Sequence, residues 1–137
     1  MNDTAGAAVR ETCWIIDIFP RRVSPEFRDV FSPVESWFLN EPQRSVVNRQ
    51  KLHFLLKLNC YMHFQVFAEE EETPLLDPEP SAFRELIARH YLTILTDGLR
   101  ITSDRCETCM VLYTESEAVP KLIKDLCIGE GLYIWPA

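Results

Sequence analysis

The sequence predicts an α+β fold, an antiparallel or mixed sheet of about five strands with helices packed against it. Three observations carry that prediction. Residues 61–68 alternate apolar and polar side chains, as a half-buried strand does. Residues 12–19 and 108–114 are short apolar runs of strand length. Three longer segments, around residues 43–58, 81–97 and 119–127, place apolar residues at the i, i+3, i+4, i+7 spacing of a helix.

Residues 1–11 are small and polar and read as a flexible N-terminal tail before a single domain, 12–137. The run 12–19 (TCWIIDIF) stops at Pro20 and reads as a strand buried on both faces apart from Asp17. Residues 21–29 form a loop. Ser32-Pro33-Val34-Glu35 is a capping box with proline at the first helical position, opening a short helix to about Asn40. Asn40-Glu41-Pro42-Gln43 repeats the logic and opens a longer helix to about Leu58. There Val47, Phe54, Leu55, Leu56 and Leu58 cover more than half the circumference, so the helix is expected to be covered on two sides. The strand 61–68 follows, with Tyr61, His63, Gln65 and Phe67 on one face, and then an acidic, proline-rich surface loop to Pro80.

The segment 81–99 ends on Asp97-Gly98, which has two readings. One is the two-residue turn of a β-hairpin between strands at 93–96 and 99–102. The other makes Gly98 the left-handed residue that stops a helix. Phe83, Leu86, Ile87, Tyr91, Ile94 and Leu95 fit one helical face, and Asp77-Pro78 supplies an N-cap and a proline at the first position. β-branched Thr93, Ile94 and Thr96 favour the strand. The helix has more matches and is the expectation.

Strands at 99–103 and 108–114, a helix ending at Gly129 and a closing strand at 132–135 complete the chain. The expected order is β-α-α-β-α-β-β-α-β. From residue 61 this is βαββαβ, the ferredoxin-like arrangement, with 61–68 and 108–114 as central strands. The leading strand would extend the sheet, and the helices at 33–58 would cover its other side or one end.

Of 137 residues, 47% are hydrophobic, enough for a core that needs no disulfide or metal. A net charge of −7 argues against nucleic acid or an anionic membrane as partner. The first ten residues hold no apolar core of signal-peptide length, no segment has membrane-span length, and the five cysteines read as reduced; the expected location is cytoplasmic.

Candidate chemistry is sparse. Cys106 and Cys109 have the CxxC spacing of half a zinc site or a dithiol pair, but no second pair exists to complete the zinc site and no helix follows to lower a thiol pKa. No metal and no cofactor are expected. Asp17 and His63 would form an Asp–His pair if their strands were neighbours in register, with Tyr61 and Gln65 on the same face; that would suit general-base work or ligand binding. In the competing reading Asp17 caps a turn or pairs with Arg21 or Arg22, and His63 is half-buried with its ring hydrogen-bonded to a neighbour. Glycine-rich phosphate loops, HExxH and serine-nucleophile motifs are absent. There remains a surface. Phe27, Phe31, Trp37, Phe38, Tyr133 and Trp135 lie near loops, a short helix or the last strand, where aromatics either wall a core or form a protein-binding patch. The expected role is a non-catalytic protein-binding or regulatory module of inhibitor or immunity type, with another protein or a second copy as partner. A small-molecule or hydrolytic pocket around Asp17 and His63, and a thiol or metal protein through Cys106 and Cys109, are the alternatives.

Overall fold

The structure, a computed structural model, describes residues 11–20 and 25–137. The expected tail lies outside the described residues except for Glu11, as do Arg21 and Arg22. The elements run β1 (Thr12–Asp17), a 3₁₀ turn (Pro25–Phe27) leading into α1 (Arg28–Phe38), α2 (Gln43–Asn59), β2 (Gln65–Ala68), β3 (Leu75–Leu76), α3 (Pro80–Arg89), β4 (Leu92–Thr96), β5 (Leu99–Ser103), β6 (Met110–Thr114), α4 (Lys121–Gly129) and β7 (Tyr133–Pro136). The fold is α+β. All seven strands form one antiparallel sheet in the order β3-β2-β4-β5-β6-β1-β7.

Asp97-Gly98 is the hairpin turn. Thr96 pairs with Leu99, Ile94 with Ile101 and Leu92 with Ser103, while Gly98 takes φ +75° at the turn. The expected helix to residue 97 is therefore corrected: α3 stops at Arg89, and His90 is already extended at φ −132°, ψ 157°. Burial explains the miss. Leu92, which the helical count omits, is fully buried, whereas Tyr91 and Leu95, which it includes, are 40% and 37% exposed. Leu92, Ile94 and Thr96 bury with period two, and cross-strand packing overrides the helical spacing.

The ferredoxin-like order falls with that helix. With β4 present, β2 pairs with β3 and β4 next to one edge, so the strand expected at 61–68 is not central, while β6, expected at 108–114, lies inside the sheet between β5 and β1. β3 and β4 raise the strand count from about five to seven. Asp77 does not cap α3, whose N-cap residue is Glu79, and α1 begins at Arg28 and runs through Pro33, ahead of the expected capping box.

The core joins Phe54, Leu55 and Leu58 of α2, Phe83 and Ile87 of α3, and Ile123 and Cys127 of α4 to Ile16, Val66, Ile94, Ile101 and Leu112 of the sheet. α2 thus lies in the same helical layer as α3 and α4, not on the other side of the sheet. The register puts Phe67, Thr93, Thr102, Val111 and Ile15 in a row across the opposite face, outside that core. No described helix is long and apolar enough to cross a membrane.

Candidate functional site

α1 carries one broad apolar face made of two adjoining stripes. Phe31 and Phe38 turn inward against Phe19, with ring centroids 4.9 Å and 5.5 Å away and rings edge to face. Trp37 stacks edge to face on Phe38 at 4.9 Å, and Trp135 Nε1 donates to the carbonyl of Phe19 at 3.1 Å. Four of the six aromatics singled out in the sequence, Phe31, Trp37, Phe38 and Trp135, are thus drawn together through Phe19. Tyr133 stands apart on the outer strand β7, opposite Asp17 and about half exposed.

The second stripe is exposed. Phe27, Val30, Val34 and Trp37 fall at i, i+3, i+7 and i+10, one side of a helix, and are 57%, 74%, 45% and 54% exposed. Val46 of α2, also about half exposed, extends it, and a hollow of about 410 Å³ lies beside Trp37 over Ile18, Val47 and Gln50. Exposed Glu26 and Asp29 neighbour Phe27 and Val30 in the chain. Val30 and Val34 carry the signal that a list of aromatics misses: the helical spacing of four apolar residues, legible only once α1 is known to begin at residue 28.

Asp17 and His63 do not meet. Four antiparallel steps through β6, β5 and β4 make β1 and β2 run the same way, so Asp17 at the end of β1 and His63 ahead of β2 lie at opposite ends of the sheet with three strands between them. His63 is solvent-exposed, and its Nδ1 lies 2.8 Å from Asp77 Oδ2. Asp77, at φ +43°, also accepts from the backbone N–H of Phe64 at 2.7 Å and from Asn59 Nδ2 at 2.9 Å. Those bonds, the Phe64 N–H foremost, hold its carboxyl down at about 2, and the bond to Asp77 raises His63 above its ordinary value. The pair opens on a cavity of about 700 Å³ that Gln65 also lines. Thr96, the one hydroxyl lining it among the described residues, donates to the carbonyl of His63 at 2.7 Å. Tyr61 lies in the turn after α2, exposed, and does not line the cavity.

Asp17 belongs to a different cluster. Contrary to the sequence expectation it is one of the most buried residues of β1, and its Oδ1 accepts from the Thr108 hydroxyl at 2.9 Å and from the Ile18 N–H at 2.7 Å. Burial raises its pKa. Beside it the ammonium of Lys51, 1% exposed, donates to the carbonyls of Asp104 (3.2 Å) and Glu107 (2.8 Å), bracing the turn that carries Cys106 and Cys109. Desolvation pulls Lys51 down to about 8, against the pull of Cys109, Asp104 and Asp17. Burial pushes the Cys109 thiol up to about 11, the opposite direction from a dithiol exchanger, and Cys106 is exposed at the turn. Among the described residues no three His, Cys, Asp or Glu side chains are grouped to hold a metal ion. Sequence reasoning missed Lys51 because a lysine in a helix reads as surface, and only the neighbouring turn shows what it braces.

Comparisons with protein-family models, curated proteins and solved structures find no match to this chain.

Proposed function

We propose that the protein is a protein-binding module that lays α1 into an apolar groove on another protein. One observation carries the reading: a helix whose inward stripe is already satisfied exposes a second apolar stripe of Phe27, Val30, Val34 and Trp37. Helix-in-groove recognition uses anchors at this spacing, with a large aromatic at one end filling a pocket. Large contiguous apolar exposure is uncommon on a monomer unless something covers it. The exposed carboxylate of Asp29, next to Val30 in the chain, suits a groove with a basic rim.

The test is affinity capture from the source lysate with the wild type and with Val30→Glu/Val34→Glu, alongside the mass of the purified chain in solution. The reading expects a protein retained by the wild type and lost from the double variant. A self-associating chain whose dimer the same variant dissolves would move the occupant to a second copy. Equal capture by both forms, or a wild type that captures nothing and stays monomeric, would contradict it.

A further inference from the structure

A second surface has the opposite character. α2 and α3 pack against one another, and along their seam runs a groove of about 730 Å³. Four arginines line it, Arg44 and Arg49 from α2 and Arg84 and Arg89 from α3, against two carboxylates, Glu41 and Glu85. In a chain of net charge −7 this is a local excess of positive charge. The spacing builds it. Positions 44, 48 and 52 and positions 45, 49 and 53 form two adjacent rows on α2, while 84 and 88, and 85 and 89, form two rows on α3. Ala88 leaves the middle of the seam shallow in side chains, and Leu52, 8% exposed, gives it an apolar floor.

The two carboxylates are already engaged, Glu41 from just ahead of α2 and Glu85 within α3. Glu41 accepts from the backbone N–H and hydroxyl of Ser45, and Glu85 pairs with Arg89 at 2.9 Å. Arg44 spends one N–H on the Ala88 carbonyl at 3.1 Å, which fixes its guanidinium across the seam. Arg49 and Arg84 make no hydrogen bond or ion pair among the described residues. Two guanidinium groups, unpaired among the described residues, line one groove from opposite helices, and a third is fixed across the seam at Ala88.

We propose that this groove binds a phosphorylated small molecule of about nucleotide size. Guanidinium forks match phosphate oxygens two at a time, and anchoring from two helices favours a ligand with more than one phosphate. The volume lies within the usual range of small-molecule sites, and the Leu52–Ala88 floor accepts an apolar or aromatic moiety next to the phosphates. The site is distinct from the α1 stripe.

Calorimetric titration at low ionic strength with ATP, AMP, pyrophosphate, phosphate and citrate tests this, with Arg49→Gln/Arg84→Gln as the variant. Both positions are exposed on helices, and a melting curve establishes that the variant is folded. ATP and pyrophosphate are expected to bind more tightly than AMP, phosphate or citrate, and each lost arginine to weaken them about tenfold. No heat with any probe at millimolar concentration overturns the proposal. So does citrate binding as tightly as pyrophosphate, which would mean charge attraction without phosphate recognition. Unchanged ATP affinity in the folded double variant places the ligand elsewhere and also overturns it.

Discussion

Replacing Lys51 by Met removes a buried ammonium while keeping most of the stem's length and volume. Its consequence is clearest as a function of pH. Lys51 titrates near 8 in the folded protein, against the ordinary value of 10.5 in the unfolded chain. Between those values the unfolded state binds more protons, so stability rises with pH there; below about 8 both states are protonated and the group contributes no slope. For these two pKa values the gain amounts to about 1 kcal/mol between about pH 8 and about pH 9. The thiols work against it, since Cys109 and Cys127 are pushed up to about 11 and about 12 by burial and lower stability as pH climbs past 9. Both remain in Lys51→Met, so they largely drop out of the difference between the two proteins. Urea unfolding under reducing conditions at each pH is the assay. The wild type should gain about 1 kcal/mol on the variant over that unit of pH. A difference that stays flat, or that moves in favour of the variant, would mean that the Lys51 ammonium is not desolvated between α2 and the Asp104–Glu107 turn, and the account of that turn would be wrong.

Other outcomes follow from single contacts. Gly98→Ala meets no neighbouring atom within 4 Å, so its cost is purely that of φ +75° and should be about 1 kcal/mol by urea unfolding, with no change pointing to a turn that relaxes. Ser103 Oγ is the only buried side-chain polar atom among the described residues without a hydrogen-bond partner; Ser103→Ala should be neutral or stabilising by about 1 kcal/mol, and a clear loss would reveal a partner. In an NMR titration His63 should deprotonate above 6.5 in the wild type and return toward 6.5 in Asp77→Ala. Since the folded value is raised, the stability gained from the pair is present at acid pH and is lost as pH rises through it; an unchanged His63 titration in the variant would contradict the pairing. Val34→Glu should change stability by less than about 0.5 kcal/mol, whereas Phe83→Ala, fully buried, should cost about 3–5 kcal/mol. A large loss at Val34 would mean that the stripe is packed against this chain.

The sequence carried the class of the fold further than its order. The strands at 99–103 and 108–114, the helix ending at Gly129 and the closing strand show in apolar periodicity and glycine stops, because each buries one face in the way its own period dictates. Residues 90–96 do not, since Tyr91, Ile94 and Leu95 happen to continue the helical spacing of α3, and only pairing with 99–103, a nonlocal event, selects the strand. Asp77 resembles a helix cap from its proline neighbour, and its true role, tying β3 to the start of β2, depends on Phe64 and Asn59 more than ten residues away. The same holds for Asp17, whose partner Thr108 is 91 positions distant. The aromatics of α1 were legible as candidates, but their division into an inward pair and an outward stripe required the start of the helix and the position of Phe19.

The most direct measurement of the central proposal is photo-crosslinking from position 34. With a benzophenone side chain at Val34, the lysate should yield one adduct of defined mass, absent when Trp37 is changed to Ala and absent from a probe at exposed Lys124 on α4. No adduct from position 34, or the same adducts from position 124, would show that α1 is not a docking helix.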